Sequence, residues 1–146
     1  MSLSTTAETA FGTLLKICSD ASATSPTTIA EVRDFTWGVN ARVEESTSHS
    51  TATPWVTKVP TLLSFGPVEF MVNWTPTAAT QNDTTGLLYV MKQRAERTYQ
   101  IVETDSGTTT VQFNAVIASI KQSRPVGGLR TGSITLDGTG LPDFSV

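Results

Sequence analysis

Cysteine, histidine and long apolar runs are all scarce in this chain of 146 residues, and each shortage closes off a class of function. The single cysteine, Cys18, cannot form an intramolecular disulfide and has no second Cys or clustered His nearby to complete a metal site. It reads as a small buried residue. No segment approaches the ~20 apolar residues that a membrane helix needs. The start, Met1-Ser2-Leu3-Ser4, lacks the positive n-region and apolar core of a secretory signal, so the expectation is a soluble protein made and kept in the cytoplasm. Charge of one sign is also missing. Ten Lys plus Arg face 13 Asp plus Glu, a formal net charge of -3, so no broad basic surface is available for tight nucleic-acid binding.

What the chain does have is the size of one domain and a mostly β pattern. From Ile29 to Thr36 and from Val39 to Ser46, β-branched residues recur at short intervals, with Trp37-Gly38 as a turn between them. Leu62 to Thr75 alternates cleanly: Val68, Phe70, Val72 and Trp74 on one face, Glu69, Met71 and Asn73 on the other. Pro76 ends that strand. Residues 84–97 carry Leu87, Leu88, Met91 and Ala95 at helical spacing, with Asp83 or Thr84 as the N-cap. A strand over 98–104 follows, then a turn at Asp105-Ser106-Gly107 and a long strand over 108–122. Val111, Phe113, Ala115 and Ile117 share one of its faces, Gln112 and Asn114 the other. A last strand spans 132–140. The opening 28 residues hold one apolar cluster, Phe11, Leu14, Leu15 and Ile17, suited to a short strand or a turn of helix. Together these elements predict one mainly β domain over 1–146, a sandwich or small barrel with one flanking helix.

Between two of the strands lies a long polar segment, 44–63, containing Glu44, Glu45, Ser48, His49, Ser50, Trp55 and Lys58. Loops longer than ~12–15 residues usually carry function, and at ~3.3 Å per residue this one out-reaches any hairpin return. It reads as an arm that grips another subunit, with Trp55 as its anchor or, alternatively, folded back on its own domain.

Catalytic readings are weak. His49 lies among Ser46, Ser48 and Ser50, but no third group orients it as a base and no oxyanion site is indicated. Asp137-Gly138-Thr139-Gly140 lacks the third glycine and following helix of a dinucleotide site, and 127–132 lacks the Lys and Ser or Thr of a phosphate loop. Asp137 and Asp143 lack calcium-loop spacing, and Asn73-Trp74-Thr75 is a glycosylation sequon only in a secreted protein. Neither an enzyme nor a cofactor is expected.

Three stretches carry a family resemblance: Ile29-Ala30-Glu31-Val32-Arg33-Asp34-Phe35, then Val43-Glu44-Glu45-Ser46-Thr47-Ser48-His49-Ser50, then Trp55 with Val59-Pro60. They resemble the major tail tube proteins of long-tailed, siphovirus-like bacteriophages with non-contractile tails. The likeness runs from Ile29 to Trp74, and the ending Leu136-Asp137-Gly138-Thr139-Gly140 also fits. Between Pro76 and Gln122 it rests on the order strand, helix, strand, strand. Thr61-Leu62-Leu63 departs from it, since many members carry a glycine after the proline.

The resemblance implies a virion protein without enzymatic activity that forms hexameric rings, stacked into a hollow tube through which DNA passes transiently. It also implies assembly in the host bacterial cytoplasm around a tape measure protein, on a tail initiator or baseplate hub and up to a terminator, with no membrane binding. Long loop and termini would tie ring to ring. A conduit for DNA should not hold it, so neutral or acidic side chains should line the lumen; Glu69, Asn73, Gln112, Asn114, Thr135 and Asp137 are the candidates. Two alternatives stand beside this. One is the inner tube of a contractile tail or type VI secretion-like system. The other is a β-sandwich module binding carbohydrate or a host surface.

Overall fold

The computed structural model describes residues 12–47, 54–104 and 108–144. Nine strands and one short helix follow in order: β1 (Leu14–Ile17), β2 (Thr27–Thr28), β3 (Val32–Thr36), β4 (Val39–Glu45), β5 (Lys58–Phe65), β6 (Val68–Asn73), α1 (Leu87–Lys92), β7 (Arg97–Val102), β8 (Thr110–Ser123) and β9 (Thr131–Asp143). Seven of the strands form one antiparallel sheet in the order β2-β1-β7-β8-β9-β6-β3, which curls into a half-barrel; β4 and β5 form a separate two-stranded sheet. The mainly β, barrel-like fold expected from the alternation is the fold observed.

Alternation decides which face closes over the core. On β6, Val68, Phe70 and Val72 are buried while Glu69 and Met71 are exposed, and the register sets Phe70 beside Ile134 and Val68 beside Leu136. Ile101 of β7 joins Leu15 to Val111 in the same way. The core thus runs unbroken from β1 to β6 on one side of the sheet, with Trp74 and Leu87 closing it. Register shifts in the β8–β9 pair, between Gln112 and Asn114 and between Ile117 and Ser119, add the local bending that curls long strands. The second shift also resets the alternation, so that Ile117 and Ile120 both pack against the core.

Residues 75–86 are held by two amides. Gln81 is fully buried; its Nε2 donates to Ala30 O (2.8 Å) and Asn73 O (3.2 Å), and its Oε1 accepts from Thr75 N–H (2.6 Å). Every strong hydrogen-bonding group of that side chain is thereby engaged, which is what makes a buried amide tolerable. Asn82 Oδ1 accepts from the N–H groups of Thr84, Thr85 and Gly86 at 3.2, 2.8 and 3.0 Å. This corrects the expected capping: neither Asp83 nor Thr84 caps the helix, which is Leu87–Lys92 rather than 84–97, with Gly86 at its N-cap and no side-chain cap bond; Asn82 holds the turn ahead of it. Arg94, with φ at 54°, turns the chain out of helical conformation before β7. Of the opening apolar cluster, Leu14, Leu15 and Ile17 lie on β1, with Leu15 in the core; Phe11 lies outside the described residues.

Candidate functional site

The segment expected as a loop over 44–63 is strand for most of its described length, because β4 runs to Glu45 and β5 begins at Lys58. Strands β3 and β4 pair with β6 and β5 respectively, so residues 32–45 and 58–73 form one long ribbon. Its lower half belongs to the main sheet. Its upper half leaves the sheet as an arm at Trp37-Gly38 and at Gly66-Pro67, which is joined by a cis peptide bond. Toward the tip the ribbon continues through Ser46 N–H to Thr57 O (2.7 Å) and Thr57 N–H to Thr47 Oγ1 (2.7 Å). Ser48, His49 and Ser50 lie outside the described residues.

The arm has two unlike faces. Val39, Ala41, Val43, Pro60 and Leu63 share one, reading through the register shift between Ala41 and Val43. That apolar stripe ends at buried Phe65. The other face bears Asn40, Ser64 and Glu44, with exposed Val59 as the partner of Glu44, and Arg42 Nε lies 2.7 Å from Glu44 Oε1. Every residue of the arm strands except Phe65 is exposed. Leu63 is 75% exposed and Trp55, near the tip, 78%. A two-stranded ribbon is marginal by itself, and an exposed apolar patch of this kind marks an interaction surface.

An aromatic cluster fixes the arm to the body. Trp37 stacks on Phe65 with centroids 5.4 Å apart, Phe65 meets Phe113 at 4.6 Å, and Phe144 lies 6.2 Å from both Trp37 and Phe65. Gly138 of β9 passes so close to Phe65 that an added Cβ would sit 2.3 Å from the Phe65 carbonyl oxygen. Trp37 is therefore a hinge residue at the core's edge and Trp74, 4% exposed, a core residue.

All six polar candidates fall on the sheet face opposite the core. Glu69 is the cross-strand partner of Thr135, Asn73 of Thr131, and Asp137 of Val116. Gln112 Oε1 accepts from Gln100 Nε2 at 3.0 Å, and Asn114 Oδ1 accepts from Thr98 Oγ1 at 2.6 Å. These cross-strand bonds keep the two amides flat along the sheet. Asp34, beside Met71, and Lys121, beside Ser133, share that face. That face is mostly polar, interrupted by exposed Met71 and Val116, and carries both signs of charge, with Lys16 beside Gln100. The sheet ends on β3, whose outer edge no strand covers among the described residues, and on the two-residue β2.

Burial raises the pKa of the Cys18 thiol, assisted by Asp20, which is the behaviour of an inert core cysteine. Backbone N–H donation, from Ser22 first, lowers that of exposed Asp20. Burial raises the Tyr99 hydroxyl far above its ordinary range. Among the described residues, no three His, Cys, Asp or Glu side chains are grouped to hold a metal ion, and no helix is long and apolar enough to cross a membrane.

No protein-family model matches the sequence, and no match is found among curated proteins. Solved structures do match over nearly the whole chain. A chain from the virion of a native gene transfer agent particle aligns with TM-score 0.78 and 19% identity, covering 96% of this chain and 100% of that one. The SPP1 tail tube aligns with TM-score 0.69 and 15% identity over 92% of this chain and 77% of that one. The anti-feeding prophage baseplate aligns with TM-score 0.67 and 11% identity over 94% and 95%. The fold of this chain is the tail tube fold.

The exposed apolar residues of the arm and of β9, Val39, Leu62, Leu63 and Leu141, were not among the sequence candidates. Leu62 and Leu63 were visible as adjacent apolar residues where the family pattern departs. Their exposure follows from the break at Gly66-Pro67, which separates them from the buried run that begins at Val68.

Proposed function

We propose that this chain is a structural subunit that self-assembles into stacked hexameric rings, forming the hollow tube of a phage-like tail through which DNA passes. The observation that carries the reading is the whole-chain likeness to tail components, one of them from a tail computed with C6 symmetry, at TM-score 0.79 and 19% identity. Physical features of the chain support it. The open edge of β3 is an aggregation hazard in a monomer and a joining edge in a ring, where a neighbour covers it. The arm, with its exposed apolar stripe and Trp55, suits a contact between rings. The polar sheet face bearing Glu69, Asn73, Gln112, Asn114, Thr135 and Asp137 suits a lumen, since it offers passing phosphates no row of cations.

In this reading the protein is a virion component assembled in the host cytoplasm around a tape measure protein, between an initiator and a terminator, and it performs no catalysis. The likeness to the anti-feeding prophage baseplate favours one second reading, the inner tube of a contractile system; co-assembly with a surrounding sheath protein separates the two. The test of the main reading is negative-stain electron microscopy at rising protein concentration, alone and with its tail initiator. Hollow tubes are expected. Monomers throughout both series refute it. In tubes, Glu69→Cys and Asp137→Cys should react with small thiol reagents and resist bulky ones; equal reaction with both removes that residue from the lumen.

A further inference from the structure

The strands β8-β9-β6-β3 stand side by side in the main sheet, and their registers line up as rows. Ile120 is opposite Ile134, Ile134 opposite Phe70, and Phe70 opposite Phe35; the adjacent row reads Lys121, Ser133, Met71, Asp34. Among the described residues both ends of these rows are open. No strand lies beyond β3, and β7 pairs along β8 only as far as Ala115, so residues 116–123 have a strand on the β9 side alone. The two open edges match. Ile120 and Phe35, each partly buried against the core, end the first row. Exposed Lys121 and exposed Asp34 end the second, and neither has an ion-pair partner among the described residues. Arg33, the one cation of β3, is the extra residue of the bulge and lies off the ladder.

Three strand spacings of ~4.8 Å separate the ends of a row, roughly 14 Å in all, so Lys121 cannot reach Asp34 of its own copy. A second copy can supply the partner. We infer that residues 119–123 of β8 in one copy pair with β3 of the next, setting Lys121 opposite Asp34 and Ile120 opposite Phe35. Three successive antiparallel pairings leave β3 running against β8. A neighbour turned the same way up therefore presents its β8 antiparallel to β3, with both core faces on one side. The joint is heterologous, which lets it close into a ring. Two β3 edges, or two β8 edges, meeting in this register would oppose two carboxylates or two ammonium groups. An exposed ion pair adds little affinity. Its effect is on specificity: a one-residue slip would set Ile120 beside Asp34 and Lys121 beside Phe35. The pair also neutralises Lys121 on the face proposed for the lumen. The inference deepens the tube reading, on which it rests, by naming the partner strand and the pair that sets the register of the ring joint.

The test combines a cross-link with a charge swap. In the double variant Lys121→Cys with Asp34→Cys, mild oxidation or a short bis-maleimide should produce a covalent ladder that stops at the hexamer, with Cys18 silent in the core. Each single variant should remain uncross-linked, because the joint never brings two copies of the same position together. No ladder, or dimers from either single variant, overturns the inference. In the swap, Lys121→Asp alone and Asp34→Lys alone should each raise the protein concentration needed for assembly about tenfold, since each sets like charges opposite one another; the two together should restore it. Circular dichroism verifies that all variants fold. An unchanged concentration in the single variants, or no recovery in the combined one, also overturns the inference. Hollow tubes without the ladder leave the tube reading standing and remove this joint. A ladder whose chains never form hollow tubes keeps the joint and removes the tube reading.

Discussion

Gly138→Ala tests whether the arm is held by close backbone approach rather than by aromatic stacking alone. The new Cβ would stand 2.3 Å from the Phe65 carbonyl oxygen, about 1.1 Å inside an ordinary contact at 3.4 Å, and 3.0 Å from both the Phe65 carbonyl carbon and Cδ1. The obstruction is backbone, so no rotamer change relieves it, and β5 must move away from β9. Overpacking of this kind costs ~1–3 kcal/mol. At ~2–4 °C per kcal/mol for a domain of this size, a cost of about 2 kcal/mol lowers the melting midpoint by roughly 4–8 °C. The displaced segment carries Phe65, on which Trp37 stacks, so tryptophan emission should shift and tube yield should fall. Gly140→Ala is the control. Its φ of +77° penalises a side chain, yet nothing lies within 4 Å of the added Cβ, so it should cost ~1–2 kcal/mol through the backbone while leaving the arm and assembly intact. A Gly138→Ala protein that melts within 1 °C of wild type and builds normal tubes refutes the reasoning.

Three further perturbations separate stability from assembly. Gln81→Leu strands the Ala30 and Asn73 carbonyls and the Thr75 N–H; at ~1 kcal/mol or more for each, urea unfolding should show a loss of about 3 kcal/mol, and a loss under 1 kcal/mol contradicts the buried-amide account. The Tyr99 hydroxyl is buried without a hydrogen-bond partner, so Tyr99→Phe should leave stability unchanged or raise it by up to ~1 kcal/mol. Because burial raises the folded-state pKa of Tyr99 above the unfolded value of 10.0, the folded chain keeps a proton that the unfolded chain releases. Its stabilising effect is complete below pH 10 and declines as pH climbs above it. Tyr99→Phe should flatten that alkaline decline, as followed by urea midpoints across pH 9 to 11. Trp55→Ala, at a site 78% exposed, should change stability by less than ~0.5 kcal/mol and still reduce tube yield; a drop above 1 kcal/mol would mean that Trp55 packs on its own subunit. Removing residues 46–57 should likewise leave a folded monomer that does not polymerise.

Particular residues show where sequence reading stops. The alternation at Val68, Phe70 and Val72 was readable because one face meets a core and the other does not, so burial writes a period of two into the chain. The alternation of β8 was readable only as far as Ile117, since the register shift before Ser119 resets the period. The helix was placed too long, because Leu87, Leu88, Met91 and Ala95 keep helical spacing while Arg94 leaves the helical region at φ 54°. Asp83 and Thr84 were wrong as caps because the helix starts at Leu87 behind Gly86 without a side-chain cap, while Asn82 organises the preceding turn.

Composition and local pattern by themselves determined a mainly β domain, a buried cysteine, the faces of β6 and most of β8, and an unusual polar span between strands. Those properties depend on each residue and its near neighbours along the chain. Tertiary structure alone decided that the span is a paired arm, that Leu63 and Leu141 converge on one groove, and that Glu69, Gln112 and Asp137 share one sheet face. Each of these depends on register between strands distant in sequence. A one-residue slip inverts every side chain, and no local pattern carries the information that prevents it.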